Sequence, residues 1–135
     1  MPDPEAFIDT NVLLYLLSSD VEKAGRAEAV LRNGGRISVQ VLNELANVAR
    51  RKLALSWTEI HEITSLFRLL CPVEPLTLET HEKGMQIAER YGVSVYDGMI
   101  LSAALLSSCE LLYSEDMQDG LVIDRTLTIR NPFLP

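Results

Sequence analysis

Two acidic residues of this chain follow short apolar runs of the kind that form buried strands. Asp9 comes directly after the run 6–8, and Asp116 comes two residues after the run 110–114. In an open α/β sheet, ligands bind in the crevice outside the carboxyl ends of the strands. If the two strands are parallel neighbours, both carboxylates lie at that edge, where they could bind a ligand or take part in catalysis.

Two further acids are predicted to reach the same edge of the sheet. Asp97 lies in the first turn of the helix that leads into the second strand, and Glu44 lies one to two turns into the helix after the strand 36–39. Each also has an ordinary structural explanation. Asp97 could close a variant capping box with Ser94, and most glutamates on the flank of an amphipathic helix simply face water.

Four converging carboxylates would repel one another and raise some of their pKa values. Hard divalent cations that prefer oxygen ligands, Mg²⁺ or Mn²⁺, relieve this repulsion. Such a metal site suits phosphodiester hydrolysis, because it generates hydroxide and stabilises the attacking and leaving oxygens. Alone, Asp9 could be no more than a helix N-cap, a role that Thr10 or Asn11 could also take.

The elements that must position these acids are read from periodicity and capping signals. Helices are predicted over 21–32, from about 40 to 53, from Ser56 to about 70, from Thr77 or Thr80 to 90, and from Ser94 through 106. Short strands are predicted between them, at 6–8, 36–39, 73–76 and 110–114, with strand-like runs at 121–123 and 127–129. This alternation indicates a parallel sheet that is covered by helices on both faces.

Length and charge set further bounds. The 135 residues predict one domain, and the net charge of −7 counts against a nucleic-acid binder unless two divalent ions reduce it to −3. No apolar run approaches the roughly 20 residues of a membrane span. The acidic start of the chain, residues 1–5, lacks the pattern of a signal peptide, so a cytoplasmic protein is expected.

Several motifs resemble those of PIN-domain ribonucleases, specifically the VapC-type toxins of bacterial toxin–antitoxin pairs. The matching segments are Phe-Ile-Asp-Thr-Asn-Val-Leu at 7–13, Ser-Val-Gln-Val-Leu-Asn-Glu-Leu at 38–45, Tyr-Asp-Gly-Met-Ile at 96–100 and Leu-Tyr-Ser-Glu-Asp-Met-Gln at 112–118. With the closing Asn-Pro-Phe at 131–133, the resemblance spans nearly the whole chain.

The resemblance implies a three-layer α/β/α PIN-like domain over residues 1–135, with a central, mostly parallel sheet of about five strands. It implies a metal-dependent endoribonuclease of structured RNA that binds Mg²⁺ or Mn²⁺ through Asp9, Glu44, Asp97 and Asp116. Thr10, Asn11 and Ser114 would support the site by hydrogen bonds, with Asp119 as a candidate additional acid. Homodimerisation and inhibition by a cognate antitoxin are also implied.

Arg50, Arg51 and Lys52 form the one basic cluster of the sequence. They end the helix that carries Glu44, where cations are favourable in any case, and the alternative is contact with an RNA backbone. His61 and His81 are expected to be ordinary, partly exposed histidines.

Two other groups of side chains have structural explanations, and for the second group a partner-binding role is an alternative. Cys71 and Cys109 are predicted to be simple thiols near strand starts. The apolar residues of the helix after Ser56 could form core or a partner-binding face; they are Trp57, Ile60, Ile63, Leu66 and Phe67.

Three other functions fit parts of the pattern. A phosphatase of the haloacid-dehalogenase type would use Asp9 as a covalent nucleophile, but it needs a second Asp two residues on, and position 11 is Asn. A receiver-like signalling domain needs paired acids in its first loop, which this chain lacks. A PIN domain that serves as a binding module is the third alternative, and the presence of all four acids counts against it.

Overall fold

The computed structural model describes residues 5–135, so the acidic segment 1–4 lies outside the described residues. The strands are β1 (Ala6–Ile8), β2 (Ile37–Ser38), β3 (Val73–Glu74), β4 (Leu111–Tyr113), β5 (Val122–Ile123) and β6 (Leu127–Arg130). The helices are α1 (Thr10–Tyr15), α2 (Val21–Arg32), α3 (Val39–Arg51), α4 (Trp57–Leu70), α5 (Leu78–Tyr91) and α6 (Val95–Leu106).

The main sheet has the strand order β1-β4-β6-β5, in which β1, β4 and β6 are parallel and β5 is antiparallel to β6. β2 and β3 pair in parallel beside it, and a single parallel bridge between Phe7 and Arg36 joins them to β1. The predicted fold class, an α/β domain with a mostly parallel sheet and flanking helices, is confirmed. The described strands number four in the main sheet and two beside it, against the predicted total of about five.

The path of the chain makes the carboxyl end of β1 a topological switch point. From β1 the chain moves to β2 and β3 on one side, and it then crosses to β4 on the other side of β1. Asp9, the residue after β1, still donates its N–H to the Tyr113 carbonyl of β4 at 3.0 Å. Switch points of this kind are where open α/β sheets bind ligands.

Helix capping explains where most helices begin. The N-caps of α2 to α6 are Asp20, Ser38, Ser56, Thr77 and Ser94, each of which accepts a backbone N–H with its side chain. The N-cap of α1, however, is Asp9 rather than Thr10 or Asn11, because the Asp9 carboxylate accepts the Thr10 N–H at 2.7 Å. Both of those residues therefore lie inside α1, with side chains available for other contacts.

Helix α6 is the most deeply buried helix, and it crosses α5 at two glycines. A Cβ placed on Gly98 would lie only 2.4 Å from the Gly84 carbonyl oxygen. Ser102 on α6 also donates its hydroxyl to the Thr80 carbonyl of α5 at 2.8 Å. The absence of a side chain on the residue after Asp97 thus permits close approach of the α5 backbone.

The hydrophobic core joins the strands to α1, α3 and α6. Its fully buried side chains include Phe7, Ile8, Leu13, Ile37, Leu45, Ile100, Leu101, Leu112, Ile123, Leu127 and Ile129. Burying each such side chain contributes roughly 1.5–3 kcal/mol. This core fixes the strand ends and helix starts from which the acidic residues emerge.

The remaining predicted side chains lie away from the sheet edge. His61 and His81 are exposed, whereas Cys71 and Cys109 are buried free thiols, and burial raises the pKa of Cys71 to about 11. Helix α4 buries Ile60 and Phe67. Within residues 5–135, no helix combines the length and the apolar character needed to cross a bilayer.

Candidate active site

The carboxyl edge of β1 and β4 opens into a cavity of about 180 Å³, which we call the acidic cavity. All four predicted acids line it, and the other lining residues are Thr10, Asn11, Leu14, Asn47 and Val48. Asp9 comes from the end of β1, Asp116 from the loop after β4, Glu44 from α3 and Asp97 from the first turn of α6. Four separate elements therefore deliver one carboxylate each to the same place.

Asp9 forms the buried floor of the acidic cavity. It is only 3% exposed, and its carboxylate accepts hydrogen bonds from the Thr10 N–H at 2.7 Å, the Ser114 hydroxyl at 2.7 Å and the Asn11 amide at 3.1 Å. These donors fix the orientation of the carboxylate. The two explanations for Asp9 are thus compatible, because one oxygen caps α1 while the group as a whole lines the cavity.

Asn11 connects the two strand ends. Its amide nitrogen lies 3.1 Å from Asp9 Oδ2 and 3.3 Å from Asp116 Oδ2, and its Oδ1 accepts the Glu115 N–H at 3.0 Å. Ser114 is shared in the same way, since its Oγ donates to Asp9 and accepts the Met117 N–H at 3.2 Å. Asn11 and Ser114 therefore hold the loop that carries Asp116 against Asp9.

Glu44 is held by two donors. The Thr10 hydroxyl donates to its Oε1 at 3.2 Å, and the Gln40 amide donates to its Oε2 at 3.0 Å. Sequence reasoning assigned a supporting role to Thr10 but missed Gln40. The signal that could have identified Gln40 is its distance of four residues from Glu44, because residues four apart are neighbours on one face of a helix.

A second layer of contacts holds the loop after β4 from outside. The Tyr15 hydroxyl donates to Glu115 Oε1 at 2.5 Å, and the Lys23 ammonium donates to Glu115 Oε2 at 2.6 Å. Burial opposes the ionisation of Glu115, but these two hydrogen bonds outweigh it and hold the pKa of Glu115 below its ordinary value. Helices α1 and α2 thereby help to position the neighbouring Asp116.

The pKa values of Asp9, Glu44 and Asp97 in the acidic cavity are raised, mainly by burial and partly by the charges of the neighbouring acids. Burial raises the pKa of Asp9 to about 7; the bonds from Ser114 and Thr10 oppose this rise, and the charges of Asp97 and Glu44 add to it. Burial, together with the charges of Asp97 and Asp116, also raises the pKa of Glu44. The pKa of Asp97 is raised by burial and by the charge of Asp116.

The donor set fits a hard divalent cation, although the side chains do not form a closed cage. In the part of the chain that the structure describes, no three His, Cys, Asp or Glu side chains converge closely enough to hold one ion among them. The Asn11 amide lies between Asp9 and Asp116 and accounts for part of the distance between these two carboxylates. Mg²⁺ keeps several of its waters and needs only one or two direct carboxylates, so an open cavity with all-oxygen ligands suits it.

Asp119 and the basic cluster lie outside the acidic cavity. The Asp119 carboxylate accepts the Asn131 N–H at 2.7 Å, which ties the loop after β4 to the segment after β6. The Arg50 guanidinium lies 5.2 Å from the centroid of the Trp57 ring and donates to the Leu55 carbonyl. The roles predicted for these residues therefore stay predictions.

Sequence reasoning also missed a second cleft beside the acidic cavity. This cleft, which we call the amide cleft, has a volume of about 530 Å³ and is lined by Gln40, Asn43, Glu44, Asn47, Tyr96 and Asp97. Gln40, Asn43 and Asn47 recur at helical spacing in the sequence, but their significance depends on α3 facing the first turn of α6, which the sequence does not reveal.

The raised carboxylate pKa values predict that the metal-free protein becomes less stable as the pH rises from about 4 to about 7. In this range folded Asp9 keeps a proton that the unfolded chain, with an Asp pKa near 3.8, has lost. The free energy of unfolding should therefore fall, by up to about 4 kcal/mol from Asp9 alone. Urea unfolding in EDTA across this range measures the slope, and added Mg²⁺ or Mn²⁺ should reduce it.

Two variants check this assignment. Asp9→Asn should flatten the metal-free profile, whereas Glu110→Gln, which changes an exposed acid immediately before β4, should keep the wild-type slope. A metal-free stability that rises between about pH 5 and pH 7 would contradict the assignment of a buried, protonated Asp9.

Comparison with known proteins gives a family and a set of similar folds. A model of the PIN-domain family matches residues 6–118. No sequence among curated proteins matches the chain significantly.

Three solved structures illustrate the similarity in fold. A chain of a toxin–antitoxin complex from Klebsiella pneumoniae has 20% identity and a TM-score of 0.72, covering 96% of this chain and 98% of its own. VapC20 of Mycobacterium tuberculosis, a sarcin–ricin loop cleaving toxin, has 18% identity and a TM-score of 0.69 over 83% and 90%. DNA-bound VapBC from Salmonella typhimurium has 19% identity and a TM-score of 0.69 over 96% and 99%.

Proposed function

Since this chain belongs to the PIN-domain family, we propose that it is a metal-dependent endoribonuclease and the toxin of a VapBC-type toxin–antitoxin pair. The observation that carries the proposal is the convergence of Asp9, Glu44, Asp97 and Asp116 on the acidic cavity at the switch point. Four hard oxygen donors suit a divalent ion and the hydrolysis of a phosphodiester better than they suit a reaction that uses one covalent nucleophile.

The carboxylates of Asp9, Glu44, Asp97 and Asp116 would hold Mg²⁺ or Mn²⁺, which when bound supplies Lewis-acid activation of water and stabilises charge on the phosphodiester oxygens. The protein's own task is to orient these carboxylates, and the hydrogen bonds from Ser114 and Thr10 oppose the rise that burial causes in the pKa of Asp9. Asp9 accepts hydrogen bonds from Thr10, Asn11 and Ser114, and these bonds fix its position before substrate binds.

The same contacts count against the phosphatase alternative. A covalent nucleophile needs an oxygen that is free to attack, whereas Asp9 is 3% exposed and accepts three hydrogen bonds. Its surroundings suit a ligand-holding carboxylate instead.

Structured RNA is the proposed substrate. VapC20, which shares the fold over most of its length, is a toxin that cleaves the sarcin–ricin loop, an RNA element. Arg51 and Lys52 are exposed at the end of α3 and form no ion pair within residues 5–135, which leaves them available to an RNA backbone. Such a substrate implies action in the cytoplasm.

A cognate antitoxin and a second copy of the chain are the proposed protein partners. Similar folds occur in toxin–antitoxin complexes from several bacteria. Helix α4 exposes large apolar side chains, Trp57 at 58%, Leu66 at 51%, Leu69 at 85% and Leu70 at 52%, which is typical of a surface that a partner covers.

The test is cleavage of a labelled total-RNA pool by purified, antitoxin-free protein. We expect discrete fragments with Mg²⁺ or Mn²⁺ and none with EDTA, because the four carboxylates alone do not activate water. Restoring the metal after EDTA treatment should restore the same fragments. If folded protein leaves every RNA intact in both metals, the binding-module alternative replaces the nuclease.

A further inference from the structure

We propose that the amide cleft binds an unpaired nucleobase next to the phosphodiester that is cut, with Tyr96 stacking on the base and Asn43 and Asn47 contacting its edge. The inference rests on the proposed function and names the residues that would give the proposed nuclease a preference for one base beside the cut. The amide cleft shares Asn47 and the two acids Glu44 and Asp97 with the acidic cavity. An RNA strand with its phosphate at these acids therefore passes directly into the amide cleft.

Tyr96 has the properties of a stacking platform. It lies in the first turn of α6, immediately before Asp97, and it is 67% exposed. Within residues 5–135 its ring pairs with no other aromatic ring and its hydroxyl makes no hydrogen bond. An exposed aromatic face that borders a phosphodiester-cleaving site is suited to an unstacked base, because every base offers a π-face.

The amides of α3 supply the groups that can distinguish one base from another. Asn43 and Asn47 are four residues apart, so they lie on one face of α3, and both are exposed. Neither side chain forms a hydrogen bond within the described part of the chain. Each keeps a carbonyl acceptor and an NH₂ donor for pairing with a base edge.

The absence of cations in the amide cleft favours a base over a phosphate. None of the residues that line the amide cleft in the described chain is Lys or Arg, and two of them are the acids Glu44 and Asp97. Phosphate binding normally relies on those residues. Neutral amides beside an aromatic ring instead match the polar edge and the flat face of a nucleobase.

The test compares three variants by steady-state cleavage of a labelled RNA that the wild type cuts. Tyr96→Ala should raise KM by about tenfold, within the range of about 5-fold to about 150-fold that loss of one base stack implies, while kcat changes by less than about threefold. Tyr96→Phe keeps the ring and should behave like the wild type. Asn43→Ala should change which base is preferred beside the cut, as read from cleavage sites mapped across total RNA.

A binding measurement separates this proposal from the nuclease itself. Anisotropy of labelled ribohexamers of each base is recorded with Ca²⁺, and the oligonucleotides are then checked to be intact. Tyr96→Ala should weaken binding by about tenfold and Tyr96→Phe should not. Matching thermal unfolding curves establish that the variants fold. If Tyr96→Ala does not fold, Tyr96→Leu replaces it, because leucine keeps the bulk of the side chain without a π-face.

The cleavage and binding results together test two proposals, the nuclease and the base site in the amide cleft. If the wild type cuts RNA but the Tyr96 and Asn43 variants match it in kcat/KM, site pattern and ribohexamer binding, the amide cleft is not a base site, and the nuclease stands. If no RNA is cut but Tyr96→Ala weakens ribohexamer binding, the base site stands without the nuclease. If neither cutting nor binding occurs, both proposals fail.

Discussion

Asp9→Asn is expected to lower the rate of RNA cleavage by about a thousandfold or more, because it removes the central carboxylate of the acidic cavity. Loss of the several kcal/mol that a bound ion contributes to charge stabilisation corresponds to a factor of this size. The asparagine keeps an oxygen that can accept the Thr10 N–H, so α1 retains its cap. The loss of activity should therefore occur in a folded protein.

The measurement pairs cleavage kinetics with calorimetric titration of Mn²⁺. Asp9→Asn should lose both activity and metal binding, whereas Glu110→Gln, which lies at the other end of β4 and leaves the acidic cavity intact, should keep both. Near wild-type cleavage by folded Asp9→Asn would remove Asp9 from the proposed machinery. Loss of cleavage with unchanged metal binding would assign the ion to the remaining acids.

Gly98→Ala is expected to lower the free energy of unfolding by about 2–3 kcal/mol. The new Cβ would lie 2.4 Å from the Gly84 carbonyl oxygen and 3.4 Å from the Ala88 Cβ, so α5 and α6 would have to move apart. The helix-forming advantage of alanine over glycine, about 1 kcal/mol, is too small to offset this clash. Because Asp97 precedes Gly98, the displacement should also reduce cleavage.

Gly25→Ala is the matched control for this prediction. Gly25 lies within α2, and a Cβ there meets nothing within 4 Å. The same substitution should therefore raise the free energy of unfolding by up to about 1 kcal/mol. Urea unfolding of both variants gives the comparison, and a Gly98→Ala protein as stable as wild type would show that the helix crossing can relax.

The acids that follow strands were the most predictable part of the site. Asp9 and Asp116 could be placed because an apolar run marks each strand, and the carboxyl ends of parallel neighbours share an edge. Asp97 could be placed because a helix that leads into a parallel strand starts at that edge. Glu44 depended on the family resemblance, since the same spacing suits a solvent-facing glutamate.

The predictions missed contacts between residues that are far apart in the sequence. Lys23 and Glu115 are 92 residues apart, and nothing local to either residue indicates the pairing that holds the loop after β4. The turn between β5 and β6 places Asp124 and Arg125 at positive φ, without the Asn-Gly or Asp-Gly signal of such turns. The amide cleft likewise exists only because α3 and α6 meet.

The pairing of β1 with β4 has a consequence for when the proposed nuclease site can form. The hydrogen bond from Ser114 to Asp9 spans 105 residues, and the Asn11 contact with Asp116 also spans 105. Contacts between residues this distant in sequence form slowly and require most of the chain to be present. A partly synthesised chain that stops short of β4 carries Asp9, Glu44 and Asp97 but lacks Asp116 and has no assembled site. The site of the proposed ribonuclease is therefore not assembled until β4 and the loop that carries Asp116 have been synthesised.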